Sequence, residues 1–536
     1  MLIAPTEVVA ATTADDLTAA RDQARSWRSP EITVPDRDLT DAALADLEIV
    51  AAGAGEESFA RAAAAIRAAR SGRFARIPHI DAAVEIMRTF LRENMIDGWL
   101  YVRETDGYLH PYLVMDITME HADRTHGPRV KFTMEADNAT VKRPSRKPRI
   151  LTLDETEIVG KTPADVLVAG GAYKETPALK ADYLRRRERY QRLIDHGFGK
   201  QFLFSGRVIR ADDHRSPNKR QYRKVVHDVA PAEIASLRQV APSILHRGKN
   251  FGDDDYGPVP VITAVRVFDL GTQDFLDVNT GDLTDYRYDA HLRDKLVLPD
   301  EQRELLDILT TDISVFTGDI IDGKSAGNVI LAKGRPGVGK TLTAEVYAET
   351  THRPLYSIHS GSLGITAELV RKNLEVIFDR AKRWDAVLLL DEADVFVMER
   401  GLDLSQNAIV AEFLRTLEYF DGLLFLTTNR LDGVDAAILA RCAAVIEYQP
   451  PGPDDARRIW RILAEGNGVT LGDDLLDDLV GGFPDITARD IKMLLRMALR
   501  MARHRGTDAD AEVFAHSAVF RGLHYVPPAD RGSRTH

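Results

Sequence analysis

The chain is poor in cysteine and lacks long apolar runs. Cys442 is the only cysteine, which excludes an intrachain disulfide and a CxxC metal site. No window approaches the roughly 18 to 20 apolar residues that span a bilayer, and the N-terminus lacks a basic segment followed by an apolar one. None of the 15 histidines falls in an HExxH pattern, which argues against a zinc protease. A cytoplasmic protein without a membrane partner is expected.

Acidic residues outnumber basic ones over the whole chain. The formal net charge is -12, which argues against wholesale coating of nucleic acid. Residues 140–250 reverse the balance, with 24 Lys and Arg against 12 Asp and Glu. Lys142–Arg149 and Arg215–Lys224 are therefore candidate phosphate contacts, with Tyr222 and Phe202 as candidate base-stacking residues. Solvated loops, pairing with acidic parts of the same chain and docking of an acidic protein are the alternatives.

The pattern along the chain defines four regions, in agreement with the three or four domains expected at about 150 residues each. Residues 1–95 are alanine-rich and predicted to be helical, and 96–290 are mixed α/β and rich in short strand-like runs, predicted to bind a partner. Residues 291–452 alternate strand-like and helical runs, which is typical of a parallel sheet covered on both faces. Residues 453–536 are predicted to form a helical lid and C-terminal tail.

A glycine-rich loop lies between an apolar strand-like run and a helix. The segment GRPGVGKT matches GxxxxGK(S/T) in the strand–loop–helix order that phosphate binding requires. Backbone N–H groups and the helix N-terminus would face the phosphates. Lys340 would contact the outer phosphates, and the Thr341 hydroxyl would bind Mg²⁺. The candidate nucleotide-binding residues here are Gly334, Pro336, Gly337, Val338, Gly339, Lys340, Thr341 and Leu342.

Two carboxylates end a later apolar run, AVLLLDEAD. Asp391 would hold Mg²⁺, and Glu392 would orient and polarise an attacking water, an arrangement that suits hydrolysis of a terminal phosphate. A third run, GLLFLTTN, ends at Asn429, whose amide would hold the same water. No NKxD guanine-recognition pattern is present where it would be expected, so ATP is favoured over GTP.

The order GRPGVGKT, LLLDEAD, LTTNR, DAAILARC and ITARDIKMLL resembles the AAA+ ATPase superfamily over roughly residues 295–525. The resemblance implies an α/β fold: a P-loop NTPase parallel sheet sandwiched by helices, then a helical lid, preceded here by a helical and mixed α/β half. It makes Asp391 and Glu392 the Walker B pair, Asn429 the sensor-1 residue and Arg489 a nucleotide-binding arginine on the lid. Arg441 corresponds to an arginine finger that reaches a neighbouring subunit's nucleotide. Other runs, such as RPLYSIHSGSLG, are similar to a bacterial relative of the AAA group common in fungi.

Two departures from the superfamily pattern concern assembly and substrate. Cys442, Ala443 and Ala444 follow Arg441 where many members carry a second finger arginine, which implies a single finger. After PLYSI, where threading members carry an aromatic beside a glycine, this chain has Leu363 and Ile365. Threading of a substrate through a central pore therefore stays open.

The resemblance implies a magnesium-dependent ATPase that forms a ring-like homo-oligomer, a hexamer. Two clients are compatible with the sequence: a protein, which is favoured, and a nucleic acid bound by the basic 140–250 region. A third possibility is a binding scaffold in which nucleotide acts only as a switch. The intact Asp391–Glu392 pair argues against that possibility, because a switch needs no carboxylate that activates water.

Overall fold

The chain divides into two units, Met1–Tyr286 and Arg287–His536. The computed structural model describes residues 2–26, 29–34, 39–57, 59–60, 63, 76–77, 80–120, 122, 126–138, 145–211, 222–229, 240–246, 256–311 and 328–527. The division after Tyr286 lies four residues before the predicted boundary at 290/291. The predicted boundary at residue 95 lies inside the first unit.

The first unit is built largely from antiparallel sheets. Its strands are β1 (Leu2–Pro5), β2 (Glu31–Val34), β3 (Trp99–Arg103), β4 (Leu109–Glu120), β5 (Arg129–Asn138), β6 (Ser145–Asp154), β7 (Ala172–Lys174), β8 (Gln201–Phe204), β9 (Val208–Ala211), β10 (Arg223–His227), β11 (Val240–Pro242), β12 (Tyr256–Pro258), β13 (Ala264–Asp269), β14 (Asp274–Asn279) and β15 (Leu283–Asp285). One sheet has the order β6-β5-β4-β3-β7 and another β15-β8-β10-β13-β14-β9, while β1 pairs with β2 and β11 with β12.

Helices pack beside these sheets. They are α1 (Thr6–Ala11), α2 (Thr18–Ser26), α3 (Asp41–Gly53), α4 (Ile80–Arg92), α5 (Glu155–Ile158), α6 (Pro163–Ala169) and α7 (Pro177–His196). Residues 1–95, predicted to be a helical region, also contain the β1–β2 pair. Prolines at 30 and 35 flank the run EITV, in which the β-branched residues favour a short strand. The alanines around this run favour a helix, which is why the sequence predicts a helical region.

A hairpin connects β3 to β4 around Asp106 and Gly107. β3 and β4 pair antiparallel with Trp99 opposite Leu113 and Arg103 opposite Leu109. Gly107 closes the connection with φ +87°, a left-handed conformation that glycine adopts at little cost. Leu100, Tyr112 and Phe132 of this sheet are buried in the core that packs against α4.

The second unit contains a parallel sheet. Its strands are β16 (Asn328–Gly334), β17 (Leu355–His359), β18 (Val387–Asp391), β19 (Leu423–Thr428) and β20 (Ala444–Tyr448), in the order β17-β18-β19-β16-β20. All the pairings are parallel. The strands are continuous apolar runs because helices cover both faces. The carboxyl ends of β16, β18 and β19 lie together, which is where ligands bind in open α/β sheets.

The helices of the second unit cover this sheet and form the C-terminal helical region that is predicted to be a lid. They are α8 (Leu292–Lys295), α9 (Asp300–Thr311), α10 (Lys340–Thr350), α11 (Ala367–Arg383), α12 (Asp394–Val397), α13 (Leu404–Leu417), α14 (Ala436–Leu439), α15 (Pro453–Gly466), α16 (Asp473–Gly482), α17 (Ala488–Arg505) and α18 (Ala511–Val519). α15 to α18 bury a core of their own around Trp460 and Phe514, whose ring centroids lie 5.5 Å apart. None of the described helices is both long enough and apolar enough to cross a membrane.

Candidate nucleotide-binding site

The glycine-rich loop connects β16 to α10. Gly334, Gly337 and Gly339 have φ values of +154°, +88° and +110°, a region that side chains with a Cβ rarely adopt. At Gly337 a Cβ would also lie 2.8 Å from the Cβ of Arg489, so the lid leaves no room for one. No side chain caps the N-terminus of α10. Its first N–H groups are therefore available to an anion.

Lys340 lies at the start of α10 with its ammonium folded over the loop. Its Nζ donates to the carbonyls of Gly334 at 2.7 Å and Arg335 at 2.9 Å, and to Oδ1 of Asn429 at 3.0 Å. Burial lowers the pKa of Lys340, the carboxylates of Asp394 and Asp391 oppose that shift, and Arg489 adds to it. The candidate lysine and the candidate sensor asparagine are thus in direct contact.

Asp391 and Glu392 lie at the carboxyl end of β18, beside the loop. The Thr341 hydroxyl donates to Oδ1 of Asp391 at 3.0 Å, so the two candidate Mg²⁺ ligands are adjacent. Hydroxyl and carboxylate oxygens are suitable ligands for this hard cation. Thr427 on β19 donates to the same Asp391 oxygen at 2.5 Å, and its hydroxyl accepts the backbone N–H of Glu392 at 3.0 Å. Glu392 has φ +55°, and Thr427 holds its backbone in this uncommon conformation.

Asp394 fixes the end of the neighbouring strand. Its Oδ1 accepts the backbone N–H of Asn429 at 2.9 Å and the hydroxyl of Thr428. This contact joins the segment after β18 to the segment after β19. Asn429 is therefore positioned from its backbone by Asp394, while its side chain contacts Lys340.

Replacing Asp394 with Ala should lower ATP turnover about tenfold to hundredfold while nucleotide still binds. The backbone of Asn429 loses its acceptor, and small misplacements at a reacting centre have effects of this size. Single-turnover hydrolysis and calorimetric ADP binding measure the two quantities. Asp432→Ala, which removes an exposed carboxylate on the following loop, is the matched control. An unchanged hydrolysis rate in Asp394→Ala would exclude this positioning role.

A cavity of about 430 Å³ lies between the loop and the lid. The predicted residues that line it are Pro336, Gly337, Val338, Gly339, Lys340, Thr341, Leu342, Asp391, Glu392, Asn429 and Arg489. Arg489, in the first turn of α17, donates its backbone N–H to the Gly337 carbonyl at 3.1 Å. Gly334 is outside the lining but accepts from Lys340.

Arg441 also lies outside the cavity lining and follows the short helix α14. Its guanidinium donates to the Ala437 carbonyl at 3.2 Å and to Glu418 at 3.4 Å. The side chain keeps 34% of its surface exposed. Within one copy of the chain, Arg441 is thus not brought together with the other predicted residues.

The sequence interpretation missed several residues of this site. Thr427 and Asp394 position the predicted carboxylate and amide, although both stand within the motifs LLLDEAD and LTTN. The apolar part of the cavity wall comes from two distant segments and suits the flat ring of a base. It contains Leu296, Val297, Leu298, Ile459, Ile462 and Leu463.

Known proteins are similar to this region of the chain. The sequence family described as "ATPase family associated with various cellular activities (AAA)" matches residues 330–450. A 26S proteasome regulatory subunit 4 homolog from Oryza sativa subsp. japonica is 27% identical over 219 residues, which are 37% of this chain and 48% of that relative. The ATP-dependent zinc metalloprotease FtsH of a Synechococcus species is 30% identical over 193 residues, 33% of this chain and 30% of that protein. The chain spans less than half the length of these relatives.

A solved structure, that of the E. coli MS115-1 HORMA:CdnC:Trip13 complex, also matches. The match covers 45% of this chain and 93% of that chain at 18% sequence identity, with a TM-score of 0.36. A likeness this weak carries no argument about function.

Proposed function

We propose that the chain binds and hydrolyses ATP with Mg²⁺ and uses the cycle to remodel a protein client, from the premise that residues 330–450 match the AAA family of ATPases. The observation that carries the proposal is the meeting of Lys340, Thr341, Asp391, Glu392 and Asn429 at one edge of the parallel sheet, around a 430 Å³ cavity.

The roles of the residues follow from their positions. Lys340 and the N–H groups at the start of α10 hold the phosphates, and Thr341 with Asp391 holds Mg²⁺, which neutralises phosphate charge when bound. Glu392 orients the attacking water, with its backbone fixed by Thr427. Arg489 closes the site from the lid. Catalysis here rests on positioning and charge stabilisation.

Assembly into a ring of identical copies, a hexamer, would complete the site. Arg441 contacts Glu418 on its own chain and does not line its own cavity. An arginine supplied by a neighbouring copy would stabilise the charge that develops on the transferred phosphate. The proposal therefore assigns Arg441 to the adjacent subunit's nucleotide.

Exposed apolar side chains on two loops favour a protein client. Ile365 is 87% exposed in the segment after β17, and Leu402 is fully exposed in the segment after β18. The two strands are parallel neighbours, so both loops begin at the same edge of the sheet. Leu363, which the sequence analysis names together with Ile365, is buried and unavailable for such contacts. Exposed apolar residues of this kind are suited to contact an unfolded polypeptide.

The nucleic-acid alternative has less support. Within the basic region, Arg146 pairs with Asp137, Lys147 and Arg149 pair with Glu104, and Arg223 pairs with Asp269. Phe202 is buried in β8, which rules out the predicted stacking on a base, whereas Tyr222 is exposed. Lys142–Pro144 and Arg215–Gln221 lie outside the described residues.

An unfolded protein should stimulate ATP turnover several-fold, and the combined change Ile365→Ala with Leu402→Ala should abolish the stimulation but leave the basal rate. The reason is that both side chains are exposed and neither lines the cavity. Turnover is measured with and without an unfolded protein, single-stranded DNA or RNA. Val519→Ala, an exposed apolar residue on α18, is the control. Stimulation by DNA or RNA alone, with steep salt dependence, would favour the alternative client.

A further inference from the structure

A second cavity, of about 680 Å³, lies wholly within the first unit. Its wall combines one face of α7, the β3–β4 hairpin connection, the segment after β8 and the N-terminal sheet pair. The volume falls in the range of about 300 to 1,000 Å³ that small-molecule sites occupy. The ATPase site contributes no lining residue to it.

The α7 face of this cavity carries an excess of positive charge. Asp182, Arg185, Arg186 and Arg189 line the cavity at positions i, i+3, i+4 and i+7, which is one face of a helix. Asp182 accepts from Arg185 at 3.1 Å and from Arg186 at 3.2 Å, so one carboxylate serves two guanidinium groups. Arg189 forms no hydrogen bond or ion pair within the described part of the chain.

The other carboxylates of the wall are already engaged by protein groups. Glu31 accepts both Nε and Nη2 of Arg207. Asp106 is buried and accepts from the Tyr108 backbone N–H, from Asn279 and, at 2.7 Å, from His110. Arg103 and Glu56, the remaining charged lining residues apart from Asp282, also have partners.

Hydrogen bonds connect the residues at the floor of the cavity. Asp282 accepts the Tyr108 hydroxyl at 2.8 Å, and the Arg186 guanidinium lies 5.4 Å from the centre of the Tyr108 ring. Arg186 also donates to the Leu109 carbonyl at 2.7 Å, and it is nine-tenths buried. The spare donors are therefore those of Arg185 and Arg189, together with Nη1 of Arg186, which is buried and has no hydrogen-bond partner among the described residues. Tyr222 lines the same cavity and is 77% exposed, which leaves an aromatic face open.

We propose that this cavity binds a small organic phosphate. Arg185 and Arg189 hold the phosphate, since the planar guanidinium fork matches two phosphate oxygens at once. Tyr222 offers a face on which a ring of the ligand stacks. The wall carboxylates, engaged by protein groups, fix the arginines in place.

Calorimetric titration of the full chain with uridine 5′-monophosphate tests the proposal. This probe lacks the outer phosphates that Lys340 would contact, and titration of Lys340→Ala checks its independence from the ATPase site. We expect about one equivalent to bind to the parent and to Lys340→Ala alike. Arg185→Ala combined with Arg189→Ala should weaken binding about tenfold to hundredfold. Arg187→Ala combined with Arg192→Ala, exposed residues of the same helix outside the cavity, should leave it unchanged.

A conservative double variant and a second phosphate probe test the assignment further. The conservative pair Arg185→Lys with Arg189→Lys keeps the charge and should retain part of the affinity, which separates loss of the ligand contact from loss of folding. Inorganic phosphate should bind more weakly than the nucleotide, because it lacks the ring. The proposal is overturned if neither phosphate probe binds saturably, if both alanine pairs weaken binding equally, or if Lys340→Ala abolishes it. Binding of an acidic peptide in place of either phosphate would also overturn it.

Discussion

Glu392→Gln is expected to bind ATP as tightly as the parent chain and to hydrolyse it about 10² to 10⁴ times more slowly. Glu392 follows Asp391 in the sequence and lines the cavity. Its backbone N–H donates to the Thr427 hydroxyl at 3.0 Å. Glutamine keeps the size of the side chain and the lysine and threonine contacts of the phosphate loop. It cannot take a proton from water or polarise it as a carboxylate does.

Two measurements separate binding from turnover in this variant. Calorimetry with ATP and Mg²⁺ gives the affinity, and phosphate release under single-turnover conditions gives the chemical step. Glu399→Gln is the matched control, since Glu399 is exposed on the same segment and lies outside the cavity lining. Hydrolysis at the parental rate in Glu392→Gln would assign the water-activating role to another group.

Arg441→Ala is expected to lower turnover about 10³-fold or more, which is the contribution of an arginine that stabilises the transferred phosphate. The structure gives Arg441 no contact with the cavity of its own chain, so ATP affinity of an isolated subunit should change little. Arg415→Ala is the control, because Arg415 is exposed on α13 and pairs at 3.8 Å with Glu412 of the same helix.

Mixing two inactive variants decides whether the arginine acts between subunits. An Arg441→Ala copy keeps Glu392, and a Glu392→Gln copy keeps Arg441. When the two variants assemble side by side, an interface at which the Glu392→Gln copy faces the site of the Arg441→Ala copy contains both Arg441 and Glu392. The mixture should therefore regain part of the parental rate. A mixture as inactive as its components would show that no site is shared in this way.

Residue order in the second half of the chain predicts most of its architecture. The parallel sheet expected from the alternating strand-like and helical runs is confirmed, and residues 330–450 match the AAA family. Local pattern suffices there because each motif follows its own strand, and the carboxyl ends of β16, β18 and β19 meet at one edge. The contact of Lys340 with Asn429 joins residues 89 positions apart for this reason.

Other parts depend on long-range packing that local pattern does not encode. Thr427 and Asp394 act across the β18–β19 pair, so their partners are known only once those strands are adjacent. In the sequence, Phe202 is an aromatic residue within a basic stretch. The pairing of β8 with β10 places its side chain in the core. From its sequence, α7 resembles an ordinary polar helix. Its arginine face lines a cavity only because the β3–β4 connection and the segment after β8 lie around it.

The most direct test of the proposed shared-site ATPase is the rate of ATP hydrolysis per subunit as a function of protein concentration. The account predicts a low rate in dilute solution that rises steeply and then reaches a plateau as copies assemble, and no such rise in Arg441→Ala. A rate per subunit that is independent of concentration and unaffected by Arg441→Ala would contradict it, because each chain would then carry a complete site of its own.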